Sequence, residues 1–456
     1  MSLVVSRNKR QTPVHNLSDP TVLLFLKVFA TSNIMGSIED NGIRFVITSQ
    51  EVWTLLQKPF SPEEFPAPLG PKPFLGLALL SQTGMSFVQQ GLVVLGIFFV
   101  SAYHLNLTQL GFVTSSLSLG IMISMVFIGL AVDRVGPRFV LTWGTLLMTG
   151  LSALLFNVHS YSWLLGILFL LGISLASVPS AGTKAVFTAF AGRPRGLVMG
   201  IRQSGVPMGA AIAALLLPRF VTQFGLDPVF GLFAVELLIC GWAFAAVIRP
   251  VNRIASTAEH VHLGHRHWIQ LLQPLTVAFL MVSGQYILLT YTMTFLHQIH
   301  HLTLVRAGQM LALSQISGGL GRVILGQVSD RLGGRRPPVL AFAATLGATL
   351  AFIVGILPDT VPVWLVFGVW TLFGFGAVGW NALALTWAGE SVPPSHSGFA
   401  MSLTGTIIFL GASISPPVFG FLVDTTHHFV YGWWMLSGIL TLAAIISWVA
   451  MVKQEG

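Results

Sequence analysis

The sequence predicts an all-α polytopic membrane protein of twelve transmembrane helices, arranged as two pseudo-symmetric six-helix bundles. Three observations predict it. Of 456 residues, 54% are AVILMFWYC and only 8% are charged, with a mean hydropathy of +0.80; soluble domains carry about 25% charged residues, so a soluble enzyme is excluded. Apolar windows recur at about 20 residues, one helical crossing each, whereas a β-barrel would need alternating polarity. Finally, motifs of the first half return in the second.

The apolar spans fall near 74–102, 109–132, 139–158, 162–187, 196–220, 228–248, 270–296, 303–329, 337–357, 362–388, 398–422 and 431–452. The 47 Gly suit close helix contacts, and the 24 Pro suit bent helices. Residues 1–73 form an N-terminal extension with seven Lys/Arg and a Pro-rich exit, expected to be cytoplasmic and poorly ordered, or to lie upstream of the true start. Val22–Ala30 is apolar but short and broken by Lys27, so it is not read as a signal peptide. Residues 74–248 make the first bundle, 249–269 a polar connecting loop, 270–452 the second bundle and 453–456 a short tail. The lone Cys240 allows no disulfide within the chain.

Orientation follows from Lys and Arg, which stay on the cytoplasmic side. With both ends inside, the inner loops and tail hold eleven basic residues and the outer loops two, Arg219 and Arg306. The formal charge of +8 is therefore topological, and no nucleic-acid partner is expected. A multi-pass cell-membrane protein, guessed to be bacterial from its compact loops, is the expected setting, as a monomer in the bilayer.

The repeat shows as an offset. Gly129, Asp133, Arg134, Gly136 and Arg138 after span 2 return as Gly326, Asp330, Arg331, Gly333 and Arg335 after span 8, 197 residues later. Gly172 and Gly196 return as Gly374 and Gly398. These paired Gly-x-x-x-Asp-Arg-x-Gly loops resemble the signature of the major facilitator superfamily, and the likeness covers residues 74–452. The resemblance implies alternating access, with the loops as conformational latches: each Asp accepts bonds from a neighbouring helix N-terminus and the following Arg in one state only. Pro137 replaces a basic residue usual in that family, and Gly334 displaces the second Arg pair by one position.

Ionisable groups inside the membrane are functional candidates by default. Arg322 lies eight residues before Asp330, about 12 Å inside span 8, on a stripe with Gln315 and Gly318. Arg202 shares a stripe of span 5 with Gly205 and Gly209, and Lys184 ends a Ser174–Ser177–Ala181 stripe of span 4. Three cations with few intramembrane acids point to an anion. Arg322 also resembles the span 8 arginine of monocarboxylate porters and oxalate:formate exchangers, which implies a carboxylate ligand; the acid of the first group is here Gly318, and the lysine of the second is at Thr404 or its apolar neighbours. Gate roles for Arg202 and Lys184 stay open, through pairing with Asp133 or Glu390. Gln82, Gln89, Gln285, Tyr286, Tyr291 and Asn381 are candidate orienting groups in the spans that line the cavity in the resembled family, or else helix–helix contacts. Glu236, deep in the peripheral span 6, reads as a packing partner rather than a proton carrier, which leaves protons as an open partner.

The histidines of the connecting loop (His260, His262, His265 and His267) and His300 and His301 lack an accompanying Cys or acid cluster, so no metal site is expected. No Walker loop or nucleophile elbow occurs, so neither an enzyme nor a cofactor is expected. The expectation is a secondary transporter of a small organic anion, a mono- or dicarboxylate, by proton-linked symport or exchange. Its rivals are a lipophilic-compound exporter, suggested by Gly200, Gly205, Pro207 and Gly209 of span 5, and a non-transporting membrane sensor.

Overall fold

The computed structural model describes residues 37–40, 43–46, 69–190, 195–249, 264–393 and 396–455. The remainder of the N-terminal extension up to residue 68 and most of the connecting loop, with Arg253, His260 and His262, lie outside the described residues. The first two stretches pair as an antiparallel hairpin, β1 (Ser37–Asp40) and β2 (Ile43–Val46).

Twelve helical spans follow. α1 runs Pro71–Val94 and continues past Leu95 as Gly96–Tyr103, with a 45° bend. α2 (Leu107–Val135) starts from a capping box in which Asn106 and Gln109 bond each other's backbone N–H. α3 is Pro137–Leu154. α4 is Tyr161–Leu175 continued by Ser177–Ala189, and α5 is Arg195–Gln203 continued by Gly205–Phe224. α6 (Asp227–Val247) ends the first set. The second comprises α7 (His265–Gln298), α8 (Leu304–Arg331), α9 (Arg336–Ile356), α10 (Val363–Gly379 continued by Asn381–Glu390), α11 (Ser397–Thr426) and α12 (Phe429–Glu455). α7 thus takes in the last residues of the expected connecting loop, and α12 extends through the expected tail.

Ten of these are long and apolar enough to cross a membrane, eleven with the bent α1 pair. The one left out is α8, at 28 residues long enough to span, whose Gln309, Gln315, Arg322, Gln327 and run of Gly and Ser lower its hydropathy. A helix this polar is tolerated in a membrane only when its polar face is turned to protein.

The packing repeats as the sequence does. α1 packs on α5, α2 on α4 and α3 on α6; in the second set α7 packs on α11, α8 on α10 and α9 on α12. Two pairs make the most extensive joints between the sets, α2 with α11 and α5 with α8, each the image of the other under the repeat. The α2–α11 contact is very close because Gly111 lies against the backbone of Pro416 and Pro417, where any side chain would collide. The second set is cored by aromatics: Trp433 is fully buried, and its ring centroid lies 5.1 Å from that of Phe419, 5.4 Å from Phe295 and 6.4 Å from Trp370. Trp370 donates its indole N–H to the Thr292 hydroxyl at 3.0 Å.

Candidate functional site

The two sets meet at mid-depth where α1 faces α7. There the Gln89 amide donates to the Tyr286 hydroxyl at 3.5 Å, a contact between residues 197 apart. That separation equals the repeat offset of the two Asp-Arg loops. Two groups related by a pseudo-two-fold axis can touch only on the axis, so this pair marks the centre of the molecule. Gln90 lies against the same hydroxyl, and the Arg322 guanidinium is close enough to couple to it electrostatically. A helical side chain leans toward its helix N-terminus, which carries the Arg322 head from its Cα toward mid-depth. Its Nε donates to the Val378 carbonyl of α10 at 3.3 Å. Gln89, Tyr286 and Arg322, expected from three separate spans, are thus brought together; Gln90 was missed, although Thr83 and Ser86 precede it at helical spacing and could have signalled it. Among the described residues no carboxylate pairs with Arg322.

On the same helices, Gln82 Oε1, Gln90 Oε1 and Gln285 Oε1 of α1 and α7 and Gln315 Nε2 of α8 are buried with no hydrogen-bond partner. The Gln82 amide N–H is occupied locally, by Ser86 Oγ at 3.4 Å. Asn381, half-buried, begins the second part of α10.

Arg202 sits elsewhere. It is 1% exposed and laid over Gly182 of α4, donating to the Val178 carbonyl at 2.8 Å and the Thr183 hydroxyl at 3.1 Å, with Nε unpartnered. Lys184 pairs with Asp133 at 3.1 Å, both side chains about half exposed. It therefore joins α4 to the end of α2. In the second half the ion pair of Asp330 is made by Arg336, next to the expected Arg335. Arg336 binds Asp330 and reaches Glu390 with two bonds, 3.1 and 3.2 Å, tying α8, α9 and α10. Gly333 and Gly334 both take left-handed backbone, φ 72° and 78°. That extra turn residue shifts the fork from Arg335 to Arg336.

The end opposite the Asp-Arg loops is fastened across the two sets. Asp424, at the end of α11, accepts from the backbone N–H of Leu107 at 3.0 Å and of Thr108 at 2.7 Å, and from the Thr108 hydroxyl. It caps the N-terminus of α2 from the other half of the molecule. Tyr291, expected in the cavity, belongs to this closure: its hydroxyl faces the carbonyls of Leu107 (2.8 Å) and Pro416 (2.6 Å) while its ring stacks on Phe419 at 4.6 Å. Below it Thr114 and Thr290 meet at 3.2 Å, and Ser115 donates to the Ser413 carbonyl. Among the described residues no group of three or more His, Cys, Asp or Glu could hold a metal ion.

Two six-helix sets joined about an axis, polar along that axis and fastened at one end, define a multi-pass membrane transport protein. The sequence model of the Major Facilitator Superfamily matches residues 75–416, and the chain belongs to that family. An uncharacterized transporter of the same type from Mycobacterium tuberculosis is 30% identical over 347 residues, 74% of this chain and 76% of its own length. The hexuronate transporter of Bacillus subtilis is 27% identical, with coverage of 76% and 87%. Among solved structures, a bacterial homologue of the human lysosomal transporter Spinster, inward-facing and unoccupied, superposes with a TM-score of 0.70 at 15% identity, covering 84% of this chain and 98% of that one.

Proposed function

We propose that the protein is a secondary transporter of a small hydroxylated carboxylate, moved by alternating access about the Gln89–Tyr286 axis. The observation that carries this reading is Arg322, a guanidinium within the membrane, beside the axial tyrosine, with no carboxylate partner among the described residues. A buried charge is costly unless paired, and a guanidinium matches a carboxylate with two parallel bonds. The unpartnered amide oxygens of Gln82, Gln90 and Gln285 accept hydroxyl hydrogens, which suits a sugar acid better than a plain monocarboxylate. The hexuronate specificity of the Bacillus relative agrees with that choice.

In this reading the Gln89–Tyr286 contact, at 3.5 Å a long one, yields to a substrate oxygen. Lys184–Asp133 and Arg336–Asp330–Glu390 hold each set together at the Asp-Arg end. Asp424 and Tyr291 close the other. Positive loops place the Asp-Arg end and both termini in the cytoplasm, so the closed end faces outward. Arg202 orders α4 against α5 within the first set.

The test is thermal stabilisation of the purified protein by D-glucuronate, followed by counterflow in proteoliposomes. At 100 times its dissociation constant a ligand stabilises by about 2.7 kcal/mol. Stabilisation and counterflow in the native protein, both lost in a folded Arg322→Gln variant, support the reading. Undiminished counterflow in that variant refutes it.

A further inference from the structure

The carboxyl of Glu236 occupies a notch in α1. Its Oε1 lies against Gly84, where the Cβ of any other residue would fall, and Cys240 Cβ borders the same notch at 2.9 Å. The Cys240 thiol lies beside the carboxyl. The other oxygen, Oε2, is buried with no partner. Ser81 Oγ, one turn earlier on α1, and Thr145 Oγ1 of α3, which packs on Gly241, are likewise buried and unpartnered.

The ionisable groups on the helices packed against α6 are Lys72 and Tyr103 at the ends of α1, Arg138 at the start of α3, and Arg195, Arg202 and Arg219 on α5, with Asp227 and Cys240 on α6 itself. Of these only Cys240 touches it; no cation does among the described residues. A carboxylate packed in this way is largely desolvated, and a proton removes the cost of its charge. α1 is also the helix that presents Gln89 to the axis, five residues or about 7.5 Å beyond Gly84, and it bends by 45° at Leu95.

We propose that Glu236 is the proton-binding site of the transporter. It is a carboxylic acid while α1 lies over it. It releases its proton to water as a carboxylate when the part of α1 before the Leu95 bend swings off α6 within the first set. The helix that meets the substrate on one face thus covers the proton on another, which makes the transport a proton symport. The inference rests on the transport reading above, but its first measurement does not depend on that reading.

That measurement is infrared spectroscopy of the purified protein at neutral pH. It should show a protonated-carboxyl C=O band that shifts in D2O and vanishes in Glu236→Gln; absence of the band in the native protein overturns the proposal. The second is D-glucuronate uptake into proteoliposomes under an inward proton gradient. At one proton per monovalent anion the native protein accumulates about tenfold per pH unit. Glu236→Gln should keep counterflow and lose accumulation, and Glu236→Asp should keep accumulation with a shifted pH dependence. Gradient-driven accumulation in Glu236→Gln, or native net uptake that ignores the gradient, overturns it. If the native protein moves no glucuronate, the transport reading has failed on that substrate, and the infrared band alone decides the proton site.

Discussion

Replacing Asp424 by Asn should open the end of the molecule that it fastens. The carboxylate takes three hydrogen bonds from the first turn of α2, and donor and acceptor belong to different six-helix sets. Hydrogen bonds to a charged group contribute about 1.5–3 kcal/mol each when fully buried, and a charge at a helix N-terminus adds about 0.3–1 kcal/mol. The site is only partly buried, and asparagine keeps one acceptor oxygen, so the loss should be about 2 kcal/mol. α2 has its own cap in Asn106 and Gln109, so the loss falls on closure and not on the helix. Two kcal/mol is about a 30-fold change in the ratio of closed to open states. The assay is maleimide labelling of Ser115→Cys in a Cys240→Ser background, because Ser115 is buried behind this closure and bonded across it to Ser413. Labelling should quicken by roughly tenfold or more in Asp424→Asn, consistent with that shift. A rate within twofold of the parent would refute the view that Asp424 holds this end shut.

Trp433→Ala should cost about 3–5 kcal/mol by emptying the aromatic core of the second set, read as a large fall in melting temperature that Trp434→Ala, at the half-exposed neighbour, does not produce. His300, between α7 and α8, is buried against Phe295; desolvation holds its imidazole below the usual histidine range, opposed by Asp359. The unfolded chain then binds a proton first as pH falls, so the contribution of neutral His300 is full above about pH 6.5 and declines below it. His300→Phe should flatten that acid loss in a melting-temperature series; an identical slope in both proteins would count against it.

Much of the fold was legible because membrane burial writes its period into the sequence: the spans, the two Asp-Arg loops and their offset all survive as packing pairs. The site was legible in part for the same reason. Arg322 stood out as a charge too deep for a loop, and the repeat offset itself leads from Gln89 to Tyr286. What could not be read depends on contacts between distant segments. Asp424 looks like an ordinary helix end until α2, some 316 residues away, is placed against it. Tyr291 lies in the same span as Gln285 and Tyr286, yet it faces two backbone carbonyls at the α2–α11 crossing. The shift of the second latch from Arg335 to Arg336 comes from two consecutive left-handed glycines, and backbone handedness is not a matter of hydropathy. Arg202 was expected as either a substrate cation or a gate residue, on a glycine stripe of its own helix; the glycine that houses it is on another, Gly182 of α4.

In the transport reading proposed above, the meeting of Gln89 and Tyr286 would act as a fulcrum. If one half rocks on the other about a line through this contact in the membrane plane, displacement grows with distance from that line, so atoms at Gln89 and Tyr286 move least while those at Asp424 and Asp330, at the two ends, sweep the widest arc. Affinity and switching are thereby set by different residues. A change at the fulcrum alters how tightly cargo is held and leaves the swing much as it was, whereas a change at the lever tips alters the swing and spares the grip. Because the two walls of the fulcrum are an amide and a phenol, cargo seated there meets unlike surfaces on its two sides. A carrier built from two matching halves can in this way hold an asymmetric molecule in one orientation.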